Sequence, residues 1–242
     1  MKWVASAAPF SDVVTPRGVR HLARVLGKRK PPIETEIKLP VRDLEQSESR
    51  LAQLGFKVLQ PRHFESNCLF DFPDLRLSKS GRLLRLRFAA GENLLTFKGS
   101  PPRARRYGKR REIETPVEDG ALLREILRNL ELKEVFAYEK FRTVFAPGMK
   151  ASRQGSPRVA LDETPVGNYL ELEGPAKWID RMASRLGYSP EDYITATYLE
   201  LYFENCRALG RKAGNMVFKG RKRRHRKSCL EMFPNPPGSG FL

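Results

Sequence analysis

Charged residues recur at every second position in a series of short apolar segments. This alternation restricts the chain to β-structure with one charged face. Residues 33–39 read Ile-Glu-Thr-Glu-Ile-Lys-Leu. A strand turns successive side chains to opposite sides. Glu34, Glu36 and Lys38 therefore share one face, and Ile33, Thr35, Ile37 and Leu39 share the other. The design repeats: Arg85 and Arg87 against Leu84, Leu86 and Phe88; Thr96 and Lys98 against Leu95 and Phe97; Glu112 and Glu114 against Ile113. Further along, Lys140 and Arg142 oppose Phe141, Asp162 opposes Leu161, and Glu171 and Glu173 oppose Leu170 and Leu172.

For any one strand the ordinary reading is a sheet with one face in water. Solvated faces usually mix Thr, Ser, Lys, Glu and Gln. These faces are instead segregated into acidic pairs (34/36, 112/114, 171/173) and basic pairs (85/87, 140/142). Like charges two residues apart repel, so each pair needs an opposite pair or a counter-ion nearby. Closing the sheet into a barrel gathers the charges around a lumen and turns the apolar faces outward, under helices. The expected fold class is α+β: an antiparallel β-barrel, or tunnel, with a charged interior and helices packed outside. Such an interior suits a metal and a polyphosphate. The acidic pairs offer hard oxygen ligands for Mg²⁺ or Mn²⁺. Arginine forks grip phosphate oxygens and lysines add compact charge.

The net charge of +17 suggests nucleic-acid binding until its distribution is followed. Residues 1–32 carry +6 and residues 210–242 carry +8, which leaves +3 for the 177 residues between. The excess sits in two tails, read as solvated arms capable of weak polyanion contact. Residues 1–32 are expected to be a flexible basic extension, with an organellar transit peptide as the alternative. Residues 33–207 form the folded domain, and 208–242 a basic tail ending in Pro and Gly, expected to be disordered. The three cysteines are odd in number, widely spaced and without a Cys-x-x-Cys pair. Neither a disulfide framework nor a zinc site is expected, and a cytoplasmic location follows. No apolar run approaches the roughly 18 residues of a membrane span.

Local signals supply the other elements. Asp43 caps a helix over 44–54 that Gly55 ends. Strands are expected near 56–60, 64–72, 82–88, 93–98, 111–115, 133–146, 158–162 and 168–173. A helix near 118–130 presents Leu122, Leu123, Ile126, Leu127 and Leu130. Another, after Gly174-Pro175, carries Trp178 as a core anchor, and a last helix starts at the Ser189-Pro190-Glu191 cap. The strand–helix–strand order of 33–60 is echoed at 111–145. His21, His63 and His225 lie far apart, outside any metal-ligand spacing, and Cys68 reads as a buried small residue.

In order, Glu34-x-Glu36-x-Lys38, Leu84-Arg85-Leu86-Arg87, Leu95-Thr96-Phe97-Lys98-Gly99, Arg111-Glu112-Ile113-Glu114, Lys140-Phe141-Arg142, Leu161-Asp162 and Leu170-Glu171-Leu172-Glu173 resemble the CYTH domain of the triphosphate tunnel metalloenzyme superfamily. Class IV adenylyl cyclases, thiamine triphosphatases and inorganic triphosphatases belong to it. The resemblance covers about residues 33–204. It implies an eight-stranded antiparallel tunnel. It implies that Glu34, Glu36, Glu171 and Glu173 bind divalent metal, Mg²⁺ or Mn²⁺, with Glu114 and Asp162 contributing. It implies that Lys38, Arg85, Arg87, Lys98 and Arg142 grip a triphosphate, with Lys140 a weaker member. Lys38, Arg85 and Arg87 are the expected catalytic cations. Thr197-Tyr198-Leu199-Glu200-Leu201 is similar to the Ser-Tyr-x-x-Leu stretch of cyclase-like members.

The function expected is therefore a metal-dependent enzyme acting on a small triphosphate-bearing substrate, without membrane partners. Hydrolysis of inorganic, thiamine or nucleoside triphosphate comes first, because no adenine pocket is visible in the sequence. A class IV adenylyl cyclase is the alternative. An RNA 5′-triphosphatase or a non-catalytic polyphosphate-binding module follows, although four metal-facing glutamates exceed what anion binding alone requires.

Overall fold

The computed structural model describes residues 33–89, 91–101, 106–148 and 156–219. The readings made for residues 1–32 and for residues 220–242 of the C-terminal tail lie outside the described residues. Eight strands follow one another: β1 (Ile33–Val41), β2 (Phe56–Asp71), β3 (Leu83–Ala89), β4 (Glu92–Lys98), β5 (Gly108–Val117), β6 (Lys133–Pro147), β7 (Arg158–Thr164) and β8 (Gly167–Glu173). Among the described residues five α-helices accompany them: α1 (Leu44–Gln53), α2 (Arg76–Lys79), α3 (Gly120–Asn129), α4 (Ala176–Arg185) and α5 (Tyr198–Ala208).

The strands close into a barrel in the order β1-β5-β4-β3-β2-β6-β7-β8, every neighbour antiparallel. The echo between 33–60 and 111–145 is visible in this order. The β1-α1-β2 and β5-α3-β6 units lie strand beside strand, β1 on β5 and β2 on β6. Segments 56–60 and 64–72, expected as two strands, form the single strand β2, whose register shifts against β6 absorb the irregular stretch 58–63.

Outward apolar faces bury against helices. Ile37, Leu39, Val159, Leu161, Leu170 and Leu172 pack beneath Leu51 of α1 and Ile179, Met182 and Ala183 of α4. Each such side chain contributes about 1.5–3 kcal/mol of burial. Asp43 Oδ1 caps α1 by accepting from the Gln46 amide at 3.0 Å, and Gly55 leaves the helix at φ +82, a conformation that favours glycine. A second cluster joins Cys68, Phe70 and Leu86 to Leu127 of α3. The expected apolar face of α3 is only half buried: Leu122, Ile126 and Leu130 stay exposed. Arg124 takes the inner position, with Glu134 as its bidentate partner. Cys68 is buried as expected, but it is disulfide-bonded, which the odd number and wide spacing of the cysteines did not predict.

One end of the barrel is splayed and then refilled. β5 leaves β1 after Glu36, and there the Lys38 amide donates to the Ile194 carbonyl at 2.8 Å. β7 pairs with β6 from Phe141 onward, and upstream of it the Met216 amide donates to the Ala137 carbonyl at 3.0 Å. The segments flanking α5 thus satisfy two open strand edges, as buried backbone requires. Residues 208–219, assigned by sequence to the tail, belong to this closure, and Met216 is fully buried. The Ser189 cap opens a single 3₁₀ turn, Pro190–Asp192, rather than the last helix. That helix begins at Thr197, whose hydroxyl accepts from the Glu200 amide while Glu200 reaches back to the Thr197 amide at 2.7 Å. Thr197→Ala is expected to cost about 1 kcal/mol, seen as a fall of roughly 2–4 °C in Tm. An unchanged Tm would remove the cap from the account of this end. Among the described residues no helix is long and apolar enough to cross a membrane.

Candidate active site

The inward faces of the strands build one charged lumen. Its lining joins Glu34, Glu36 and Lys38 of β1, Arg85 and Arg87 of β3, Lys98 of β4, and Arg110, Glu112 and Glu114 of β5 to Lys140 and Arg142 of β6, Arg158 of β7, and Glu171 and Glu173 of β8. Thr197, Tyr198 and Leu199 at the start of α5 close this end. A second cavity adjoins it, sharing Arg87, Glu114, Arg142, Arg158, Glu171 and Glu173 and reaching His63 and Glu65. Gly108 lets β5 approach β1 closely, since a Cβ there would stand 3.1 Å from Glu36 Cγ.

The carboxylates crowd along β1, β5 and β8. Lys98 Nζ stands among three of them, 2.6 Å from Glu34 Oε2, 3.2 Å from Glu112 Oε2 and 3.8 Å from Glu36 Oε2. Burial opposes ionisation of Glu34, yet Lys98 holds its carboxyl down to about 2. Glu112 is pushed up to about 9 by burial and by the Glu34 carboxylate beside it. Glu173 is pushed up to about 7 by burial, with Arg158 opposing and Glu34 reinforcing. Among the described residues, no three acidic side chains already converge on one coordination point.

A carboxyl whose folded pKa is raised binds its proton more tightly when folded. Its stabilising contribution is complete below the unfolded value, near 4.5, and is lost as pH rises through the folded value. The protein without divalent metal is therefore expected to lose stability as pH climbs from about 5 towards 7 for Glu173 and 9 for Glu112. Melting curves at pH 5.5 and 8.5 check this, and an equal or higher Tm at the alkaline pH would contradict it.

The opposite wall is cationic. Asp162, fully buried on β7, accepts from Arg142 Nε at 2.6 Å, Arg142 Nη2 at 2.6 Å, Lys140 Nζ at 3.0 Å and the Tyr198 hydroxyl at 2.5 Å. Arg142 Nη2 also reaches Glu171 Oε1 at 2.7 Å. Lys38 Nζ lies 3.6 Å from both Glu36 Oε1 and Glu171 Oε2, and 5.1 Å from the centre of the Tyr198 ring. Arg85 Nη2 donates to Thr96 Oγ1 at 3.1 Å, and that hydroxyl donates on to Glu114 at 2.7 Å. Arg87 is only weakly compensated by acids. It meets Glu65 Oε1 at 3.5 Å, and burial together with Arg85 lowers its pKa.

Of the twelve residues expected at the site, eleven line the lumen. Asp162 does not. Its two oxygens are taken up by Arg142, Lys140 and Tyr198, which suits orienting those cations rather than binding a metal. Glu112, Arg110, Arg158 and Glu65 were not in the expected set. The first three continue the period-two faces of β5 and β7 and were legible there. Glu65 belongs to the inward series 63, 65, 67, 69 of β2, which mixes charged, amide and apolar groups and so shows no charged pair.

A family model described as the CYTH domain matches residues 32–198. A Methanocaldococcus jannaschii protein, whose name proposes an adenylate cyclase, is 28% identical over 181 residues, which is 70% of this chain and 98% of the relative. Among solved structures, a Vibrio parahaemolyticus protein described as a proposed adenylate cyclase matches with TM-score 0.61 at 21% identity, covering 71% of this chain and 98% of its own. A proposed adenylyl cyclase of Hippeastrum, described as revealing a dominant triphosphatase activity, matches with TM-score 0.50 at 17% identity, covering 75% and 97%. At such identities the two structures speak for the fold alone.

Proposed function

Because the chain belongs to the CYTH domain family, we propose that it is a divalent-metal-dependent enzyme that hydrolyses a triphosphate-bearing substrate at its terminal phosphorus. The charge balance of the lumen carries this reading. Eight cations and six carboxylates line it, a formal +2. An esterified triphosphate brings about four negative charges, and its complex with one divalent cation about two. That complex neutralises the lining, whose cations come from six strands.

The carboxylate wall fits such an ion. Buried carboxyls that hold protons near or above neutral pH are a site short of positive charge, and hard oxygen donors suit Mg²⁺ or Mn²⁺. Glu34, Glu36, Glu171 and Glu173 would hold it, with Glu112 and Glu114 adjoining. When bound, the ion would neutralise phosphoryl oxygens and polarise phosphorus. Lys98 now occupies the carboxylate cluster and would be released towards phosphate. Lys38, Arg85 and Arg87 would stabilise charge developing on the transferred group, with Arg142 and Lys140 gripping the rest of the chain. Asp162 and Tyr198 hold those cations in place.

One observation favours a second reading, cyclisation of ATP. An apolar annex lined by Leu69, Leu83, Leu84, Val135 and Leu199 adjoins the lumen. It has room for an organic group, and the name of the M. jannaschii relative points the same way. In that reaction a ribose hydroxyl attacks the α-phosphorus and pyrophosphate leaves. The test is incubation with Mg²⁺ or Mn²⁺ and, separately, inorganic triphosphate, thiamine triphosphate and ATP. Orthophosphate release supports hydrolysis, cyclic AMP with pyrophosphate supports cyclisation, and no product from any of the three sinks both.

A further inference from the structure

Within the barrel wall, four buried polar atoms have no hydrogen-bond partner among the described residues: both amide atoms of Asn67, Glu65 Oε2 and Arg85 Nε. Register makes them neighbours. Asn67 pairs across β2 with Arg87 on β3 and Tyr138 on β6, and Leu69, the next inward position, pairs with Arg85. Asn67 is completely buried and Glu65 nearly so. Glu65 is ringed by cations at long range: His63 Nε2 at 3.4 Å, Arg87 Nη1 at 3.5 Å and Lys140 Nζ at 3.5 Å. Strong charged hydrogen bonds are about 2.7–2.9 Å, so its accepting capacity is largely unused. Buried polar groups are normally satisfied, and an exception calls for an explanation.

The chemistry of the four atoms selects what would satisfy them. They offer two acceptors, Glu65 Oε2 and Asn67 Oδ1, and two donors, Asn67 Nδ2 and Arg85 Nε. A phosphate oxygen accepts only and would be repelled by both acceptors. A metal ion would be repelled by Arg85, Arg87 and Lys140. Water both donates and accepts: it can donate to Glu65 Oε2 and Asn67 Oδ1 and still keep a lone pair free for attack. We propose that Glu65 and Asn67 are positioning residues that hold the attacking water beside the phosphoryl group gripped by Arg85 and Arg87. This inference rests on the hydrolase reading above.

In the step, the water oxygen forms a bond to the terminal phosphorus. The bond from that phosphorus to the bridging oxygen breaks, and its electron pair leaves with the diphosphate portion. The water's proton passes to an oxygen of the transferred phosphoryl group, so dihydrogen phosphate and the diphosphate product together carry the charge of the reactant. Glu65 and Asn67 accept from the water and aim its lone pair; neither needs to take the proton.

The test separates positioning from structure. Asn67→Leu is nearly isosteric and removes two unsatisfied polar atoms, so its Tm should equal or exceed that of the wild type. With Mg²⁺ and inorganic triphosphate its kcat should fall tenfold or more, while KM stays within about twofold. Asn67→Ser, which keeps a donor and an acceptor, should recover part of that loss. A Tm drop that accompanies the loss of activity, or an unchanged kcat in Asn67→Leu, overturns the inference and leaves the hydrolase reading standing. A wild-type protein that releases no orthophosphate from any triphosphate overturns that reading, and the inference with it.

Discussion

Glu34→Gln is expected to lower metal-dependent turnover by roughly 10²–10³-fold, because metal stabilisation of a phosphoryl transition state is worth several kcal/mol and each 1.36 kcal/mol is tenfold. The substitution preserves shape and removes one negative charge from the wall where Glu34, Glu36, Glu112 and Glu173 meet. Lys98 keeps Glu112 at 3.2 Å and Glu36 at 3.8 Å, so the fold should survive with little change in Tm. The loss should shrink as Mg²⁺ or Mn²⁺ is raised, since weaker metal binding is its cause. Orthophosphate release across a metal titration reads this directly. Full turnover by the variant at low metal would show that Glu34 is not a metal ligand.

Asp162→Ala should act mainly on the fold. Removing the carboxylate strands Lys140 and Arg142 beside one another and leaves the Tyr198 hydroxyl without its 2.5 Å partner. Breaking a buried ion pair from one side costs about 3–5 kcal/mol, or on the order of 10 °C in Tm for a domain this size. Turnover should fall as well, because both cations face the lumen. Thermal unfolding is the measurement. A variant that melts within a degree or two of the wild type, with unaltered kinetics, would show that Asp162 does not organise the cationic wall.

Alternation made the strands and their faces readable, because a period of two is imposed by backbone geometry and needs no neighbour to interpret it. The inward positions of β1, β3, β4, β5, β6 and β8 were assigned on that basis, and all those assignments hold. β2 was harder. Its inward series runs His63, Glu65, Asn67, Leu69, which mixes charge, amide and apolar groups, and the bulges near 58–63 interrupt the period. The apolar stripe on α3 misled for a different reason. Helical spacing shows that residues share a face, but not whether that face has a partner wide enough to bury it. Leu122, Ile126 and Leu130 remain exposed because Leu127 and Arg124 sit against the sheet instead.

By itself the sequence determined that charges would share one side of each strand and that acidic and basic pairs would need each other. Those follow from local geometry and Coulomb repulsion. Tertiary structure alone decided which charge meets which. The β1–β5 and β4–β5 registers bring Lys98 among Glu34, Glu36 and Glu112, and β6–β7 pairing buries Asp162 against Arg142. Register depends on interactions across distant segments, and a shift of two residues would keep every face while exchanging every partner. It is also what brings Glu65 and Asn67 beside Arg85 and Arg87.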